Sequence, residues 1–161
     1  MSASDSLFTT RGEFHTALRT ALAEAAAAGC SELWLCDNDF DDWPLGERQV
    51  VDSLSQWASS HRRLTLVAST FDEVARRHAR WNEWRRQWSH IVHCRSNAEL
   101  ERGQMPSVLL ASGLLSVNLV DPVHYRGRFS HDVADGVRCR ELIDAVLQRS
   151  EEAYPVTTAG L

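Results

Sequence analysis

The sequence predicts an α/β fold: a mixed sheet with βαβ crossovers and a C-terminal β-hairpin, and with helices on both faces of the sheet. Residues 33–36 and 64–68 are short apolar runs of the kind that form buried strands, and an amphipathic stretch separates them. A strand, helix and strand at this spacing predict two parallel strands joined by a right-handed crossover. Residues 108–120 form two apolar runs around an Ala-Ser-Gly turn, which predicts the hairpin.

The chain has 161 residues, a length typical of one domain with a sizeable core. We expect one α/β domain over residues 12–153, a disordered leader over residues 1–11 and an exposed tail over residues 154–161. No apolar run reaches the roughly 18 residues that a membrane span needs, and the first residues lack the pattern of a signal peptide. The expected location is therefore the cytoplasm, without a membrane partner.

The first two helices have recognisable ends. Thr10 and Glu13 have the spacing of a capping box, apolar residues then recur at helical spacing, and Gly29 suits the C′ position. Pro44 suits the first position of the second helix, and the aspartates before it would complement the positive end of the helix dipole.

The rest of the chain alternates in the same way. Thr70 and Glu73 have the spacing of a second capping box before a third helix, and residues 91–94 are predicted to form a strand. A polar loop is predicted for residues 121–135. The final helix has one apolar face, made of Cys139, Leu142, Ile143, Val146 and Leu147.

Composition excludes several kinds of chemistry. The net charge is −5, which argues against a dedicated nucleic-acid binder. All 17 basic residues are arginine, so a P-loop lysine, a Schiff-base lysine and a catalytic His-x-Lys pair are impossible. The four cysteines form no C-x-x-C pair. His90 and His93 lie three apart on a strand and face opposite sides, which argues against a shared zinc ion.

The first candidate site is the pair Asp37 and Asp39, which directly follows the first buried strand. An apolar strand followed by Asp-x-Asp resembles the first motif of the haloacid dehalogenase-like phosphatases, and Ser69 after the next strand resembles the second. That resemblance implies Asp37 as the nucleophile, Asp39 as the general acid/base and Mg²⁺ as the cofactor. Phe40 and Asp41 depart from the usual small residue and threonine, and the lysine of the third motif is missing. The alternative is that these acids cap the second helix and stay solvated.

The second candidate is the third helix, in which five arginines alternate with three tryptophans. Such a surface can bind phosphates and stack on bases. The spacing of Trp81, Trp84 and Trp88 equally suits an amphipathic helix that packs its tryptophans on the sheet, with the arginines solvated. His78 lies on the same apolar side, where a core histidine is the simplest interpretation.

The order of elements is similar to one half of the phospholipase D superfamily, and more closely to uncharacterised bacterial single-domain relatives of that fold. The similarity covers residues 12–155. It includes the strands at 33–39 and 64–69, the helix that contains His78, and the segment from Leu114 to Phe129 that leads into the final helix.

Active members of that superfamily carry His-x-Lys-x4-Asp, and the histidine forms a phospho-enzyme. The corresponding positions here are Met105, Ser107 and Ser112, so the resemblance implies a degenerate active site and a non-catalytic domain. It also implies a homodimer. The remaining polar groove would bind an anionic or phosphate-containing ligand, or a protein partner. The residues expected to bind an anion there are His78, Arg95, Asn118, Arg126 and Arg128.

Overall fold

In the computed structural model, which describes residues 5–101 and 103–156, five helices and eight strands follow one another along the chain. The helices are α1 (Arg11–Ala28), α2 (Arg48–Trp57), α3 (Asp72–Arg77), α4 (Ala79–Gln87) and α5 (Val133–Leu147). The strands are β1 (Ser6–Phe8), β2 (Glu32–Cys36), β3 (Arg63–Ala68), β4 (Val92–Ser96), β5 (Ser107–Ala111), β6 (Leu115–Asp121), β7 (Arg126–Ser130) and β8 (Glu151–Glu152).

The described strands form one mixed sheet in the order β1-β7-β6-β5-β2-β3-β4-β8. β2, β3 and β4 are parallel, whereas β5, β6 and β7 run antiparallel as a meander beside β2. This arrangement confirms the mixed α/β sheet, the βαβ crossovers and the C-terminal hairpin. The carboxyl ends of β2, β3 and β4 therefore meet at one rim of the sheet.

Each face of the sheet has its own apolar core. Leu33 and Leu35 of β2 point to the face that α1, α2, α3 and α4 cover. Trp34 and Cys36 alternate to the opposite face, where α5 covers them with Cys139, Ile143 and Val146. The helices on both faces confirm the layered architecture.

The predicted ends of α1 are confirmed. The Thr10 side chain accepts a hydrogen bond from the backbone N–H of Glu13 at 3.1 Å. Glu13 reaches back one residue further than a standard capping box and accepts the Thr9 N–H at 3.0 Å. Gly29 ends the helix with φ 72°, in the left-handed region where glycine has no steric penalty.

The next two helices differ from the prediction. α2 begins at Arg48 rather than at Pro44, because Trp43 and Leu45 are buried in the core and hold this part of the chain in turns. The third predicted helix is two helices that meet at His78, whose φ of −113° and ψ of 53° are not helical. The predicted capping box at Thr70 is replaced by an N-cap at Phe71.

Three strands, β1, β7 and β8, were absent from the prediction. β7 lies inside the predicted loop 121–135, and β1 lies inside the predicted disordered leader and pairs with β7. Gly127 makes this pairing possible, since a Cβ there would collide with the Phe8 ring and the Asn118 carbonyl. His131, just after β7, joins this edge to α1: Nδ1 lies 2.7 Å from Asp5 Oδ1 and Nε2 lies 2.7 Å from Glu24 Oε2.

The last residues of the predicted domain and the start of the predicted tail are also ordered against the sheet and helices. β8 pairs with β4, and the Tyr154 ring stacks on Phe71 with centroids 5.5 Å apart. The Tyr154 hydroxyl donates to Asn82 Oδ1 at 2.6 Å. Residues 1–4 of the predicted leader and 157–161 of the predicted tail lie outside the described residues. Among the described residues, no helix combines the length and the apolar character needed to cross a membrane.

Candidate functional site

The rim at the carboxyl ends of the parallel strands holds Asp37, as the sequence predicts, but its carboxylate is occupied by neighbours within the protein. Oδ2 accepts the backbone N–H groups of Asp39 at 3.2 Å and Phe40 at 2.8 Å. Oδ1 accepts a short hydrogen bond from the Ser107 hydroxyl at the start of β5. Burial raises the pKa of the Asp37 carboxyl, and these hydrogen bonds partly oppose the rise.

The other acids of this loop also have internal partners. Asp39 accepts the N–H of Asp41 at 3.0 Å, Asp41 pairs with Arg77 at 2.6 Å and Asp42 pairs with Arg11 at 2.7 Å. The interpretation that these acids cap the second helix is therefore wrong, since α2 begins later and its N-cap residue is Glu47. The acids instead stabilise the loop, in which Phe40 has φ 58° and is fully buried.

Asp37 and Asp39 do not form a donor set that fits Mg²⁺. Magnesium prefers free carboxylate oxygens as ligands, whereas both oxygens of Asp37 and one oxygen of Asp39 accept hydrogen bonds from the chain itself. Within the described ranges, no group of three histidine, cysteine or acidic residues is placed to hold a metal ion.

The three residues that the resemblance aligns with the phospholipase D motif carry other interactions, and Ser112 lies away from the other two. Met105 is buried, with Sδ 3.5 Å from Cys36 Sγ. Ser107 is buried and hydrogen-bonded to Asp37. Ser112 lies in the hairpin turn, at the opposite end of β5, where its N–H donates to the Glu32 carbonyl.

The five residues predicted to bind an anion do not come together. His78 is buried on the α1–α4 face, with Nε2 2.8 Å from the Phe40 carbonyl oxygen, so it holds the acidic loop against α4. Arg126 is exposed at the start of β7. Asn118 and Arg128 are register partners on β6 and β7, and Arg95 lies on β4, on the other side of the sheet's centre.

Asn118 and Arg128 line a cavity of about 440 Å³ beside α5, but its positive charge is compensated. Asp135 lies between two arginines, 3.1 Å from Arg128 Nε and 2.7 Å from Arg138 Nη2. The Ser130 hydroxyl and these arginines lower the pKa of the Asp135 carboxyl, so it remains anionic. Glu141 adds a second carboxylate to the cavity wall.

Arg95 lines a different cavity, of about 510 Å³, at the edge of the sheet where β4 meets β8. Its Nε donates to Ser150 Oγ at 2.7 Å and its Nη2 to the Ser150 carbonyl at 2.8 Å. Three further basic side chains line the same cavity, namely Arg63, Arg85 and His93.

Sequence reasoning missed these three residues as a group. The signal for Arg85 was present, because it follows Trp81 by four positions and so shares the helix face that the tryptophans bury. Arg63 and His93 belong to neighbouring strands, and only the register that pairs Thr65 with His93 brings them near each other.

The tryptophans of the Arg/Trp segment face the core. Trp81 and Trp84 are 0% and 4% exposed, so they cannot stack on bases. Most of the arginines there bind the protein itself: Arg76 pairs with Glu73, Arg77 with Asp41, and Arg80 donates to the Gly46 carbonyl.

The fold is similar to that of two solved structures at low sequence identity. TrmBL2, described as an archaeal chromatin protein with a novel mode of DNA binding, matches with a TM-score of 0.65 and 11% identity over 94% of this chain. NucT from Helicobacter pylori, of the phospholipase D superfamily, matches with a TM-score of 0.58 and 8% identity over 93% of this chain and 99% of its own. The present chain spans about half of TrmBL2, at 54%. No family model and no curated protein matches the sequence.

Proposed function

We propose that this chain is a phospholipase D-like domain that acts by binding a ligand and not by cleaving a phosphodiester bond. The observation that carries the proposal is the burial of Met105 and Ser107, the two residues that the resemblance assigns to the positions of the nucleophilic histidine and the lysine of the superfamily. Met105 lies against Cys36 of β2, and Ser107 donates a hydrogen bond to Asp37, directly after β2. A thioether has no basic lone pair for attack on phosphorus, and a serine has no charge to offset a phosphate.

A haloacid dehalogenase-like reaction is the enzymatic alternative, and the rim does not favour it. The nucleophile of such a reaction must be an anion with one free oxygen. Both oxygens of Asp37 accept hydrogen bonds from the chain itself, so neither is free.

Turnover of an activated phosphodiester and an activated phosphomonoester tests this proposal, in each case with and without Mg²⁺. We expect the wild-type rate to equal that of Asp37→Asn and that of Ser107→Ala, at the level of the buffer. A rate above the buffer that either substitution abolishes would overturn the proposal. Asp37→Asn is a suitable control because an amide can keep the hydrogen bonds of the loop.

We also propose that two copies of the chain associate as a homodimer and that the protein is cytoplasmic. β1 supports association, since it is an exposed edge strand and its Leu7 is 74% exposed. Light scattering after size exclusion tests it. A mass near twice 18.1 kDa supports a homodimer, and a mass of 18.1 kDa at all concentrations contradicts it.

A further inference from the structure

The cavity at the β4–β8 edge of the sheet has an excess of positive charge. Its walls are β3, β4, the end of α4 and the segment after β8, and its volume is about 510 Å³. Three arginines and a histidine line it, and the one carboxylate among its lining residues is that of Glu152. This excess distinguishes it from the Asn118–Arg128 cavity, where two carboxylates compensate two arginines.

Arg85 is the most unusual of these residues, because its side chain is buried without an anionic partner. It is 6% exposed, and its guanidinium lies over the Tyr154 ring at 4.8 Å. Its Nε is buried and donates no hydrogen bond to any described atom. No carboxylate among the described residues pairs with it. A buried cation with an unused donor is costly unless a ligand compensates it.

Arg95 and His93 extend this positive potential along β4. Arg95 is held by Ser150 through neutral oxygen atoms, so its position is fixed while its charge is not neutralised. Burial lowers the pKa of His93, and Arg63 and Arg95 lower it further, whereas Glu152 raises it. Arg63 and Thr65 lie on one face of β3, and the register that pairs Thr65 with His93 puts His93 and Arg95 on the same face of β4, so the three basic side chains line one cavity.

We infer that this cavity binds the phosphate group of a small phosphorylated molecule, with Arg85 and Arg95 as the principal donors. This inference rests on the proposed binding function and names its site and ligand class. A guanidinium presents paired N–H donors that match phosphate oxygens in bidentate geometry. The volume lies within the range of small-molecule sites, roughly 300–1,000 Å³, and exceeds what a phosphate ion alone would fill.

Titration with inorganic phosphate at constant ionic strength, with sodium chloride as the reference salt, tests the site directly. Saturating phosphate is expected to raise Tm by about 3 °C or more. It is also expected to shift the imidazole NMR signal of His93, assigned with His93→Asn, and to raise the pKa of that histidine. No shift of either signal would overturn the inference.

Arginine variants locate the binding. Arg85→Gln is expected to weaken phosphate binding about tenfold or more, because it removes a charge-assisted pair of hydrogen bonds. Arg63→Gln, at an exposed position, provides a second test if Arg85→Gln does not fold, and we expect a smaller loss of phosphate binding from it.

Arg140→Gln is the matched control. Arg140 also stacks on an aromatic ring, at 4.1 Å over Trp34, but it belongs to α5, on the opposite face of the sheet from α4. Equal binding by Arg85→Gln and Arg140→Gln would overturn the site.

Three ligands distinguish the source of the phosphate. A nucleoside monophosphate is expected to bind more tightly than inorganic phosphate, because the cavity has room for the rest of the molecule. Binding of a single-stranded oligonucleotide without binding of the monophosphate would overturn the small-molecule assignment. These outcomes are independent of the proposed lack of turnover. An inactive domain that does not bind phosphate would contradict this inference alone. A domain with turnover at Asp37 that binds phosphate at Arg85 would contradict the proposed function alone.

Discussion

The rim at Asp37 and the cavity at Arg85 each hold an ionisable side chain with little exposure to solvent, but only the first of the two has its hydrogen bonds made within the protein. Asp37 receives three hydrogen bonds from Ser107, Asp39 and Phe40, so its polar atoms are satisfied by the chain itself. Arg85 is more deeply buried but has an aromatic ring as its neighbour and an Nε without a partner. A buried polar group whose hydrogen bonds are all made within the protein stabilises the fold. An unsatisfied buried charge marks a place where a ligand can add stability.

The largest expected effect comes from removal of the satisfied acid. Asp37→Ala leaves two backbone N–H groups and one hydroxyl without their acceptor, and should lower the free energy of unfolding by about 3 kcal/mol. Asp37→Asn is the matched control and should lose much less, because the amide oxygen can accept both N–H groups and the NH₂ can donate to Ser107. Urea unfolding measures both. Similar losses for the two variants would show that the charge, and not the hydrogen bonds, matters at the rim.

His131 is a cationic counterpart of Asp37, because its imidazole lies between the carboxylates of Asp5 and Glu24. Its hydrogen bond to Glu24, and that to Asp5, raise the pKa of this histidine above 6.5. Since the folded pKa exceeds the unfolded one, the stabilisation is complete below pH 6.5 and is lost as the pH rises through the folded pKa. His131→Gln should therefore cost roughly 1 kcal/mol at pH 6 and much less at pH 9.

Unfolding curves across that pH range measure the difference between wild type and His131→Gln. His124 serves as the control, because it pairs with Asp121 at an exposed position near β6. A difference that does not change with pH would contradict the proposed ion pairs of His131.

The smallest expected effect comes from replacement of Arg85, and it is a gain in the free energy of unfolding. In phosphate-free buffer, Arg85→Met should change the free energy of unfolding by no more than about 1 kcal/mol, and towards greater stability. The methionine keeps the apolar contacts of the side chain and removes the buried charge, although the contact with Tyr154 weakens. A loss above about 2 kcal/mol would mean that Arg85 is already compensated within the protein. Calorimetry without phosphate is the appropriate measurement.

The sequence predicted the elements whose pattern is local. The Thr10 and Gly29 caps of α1, the apolar cores of β2 and β3 and the hairpin all follow from residues close together in the chain. β1 and β7 could not be predicted in this way. Arg126–Ser130 is polar in composition, and it becomes a strand because β6 and β1 pair with its two edges.

Prediction of the site was limited in the same way, by contacts between residues that lie far apart in the chain. The sequence placed Asp37 at the rim correctly, but the hydrogen bond from Ser107 joins residues 70 positions apart. The expected groove failed for a related reason, since periodicity assigns a side chain to a face of its own element but does not place elements relative to one another. His78 and Arg95 belong to neighbouring elements and still point into different environments.

The short strand β8 and the residues after it form the outer wall of the arginine cavity. This wall is held by a two-residue strand, by the hydrogen bond from the Ala153 N–H to the Cys94 carbonyl at 2.9 Å, and by the Tyr154 ring. A segment with so few bonds can open locally without unfolding of the domain. The hydrogen–deuterium exchange rate of the Ala153 amide therefore reports this opening, and a ligand that bridges Arg85 and Arg95 would slow it.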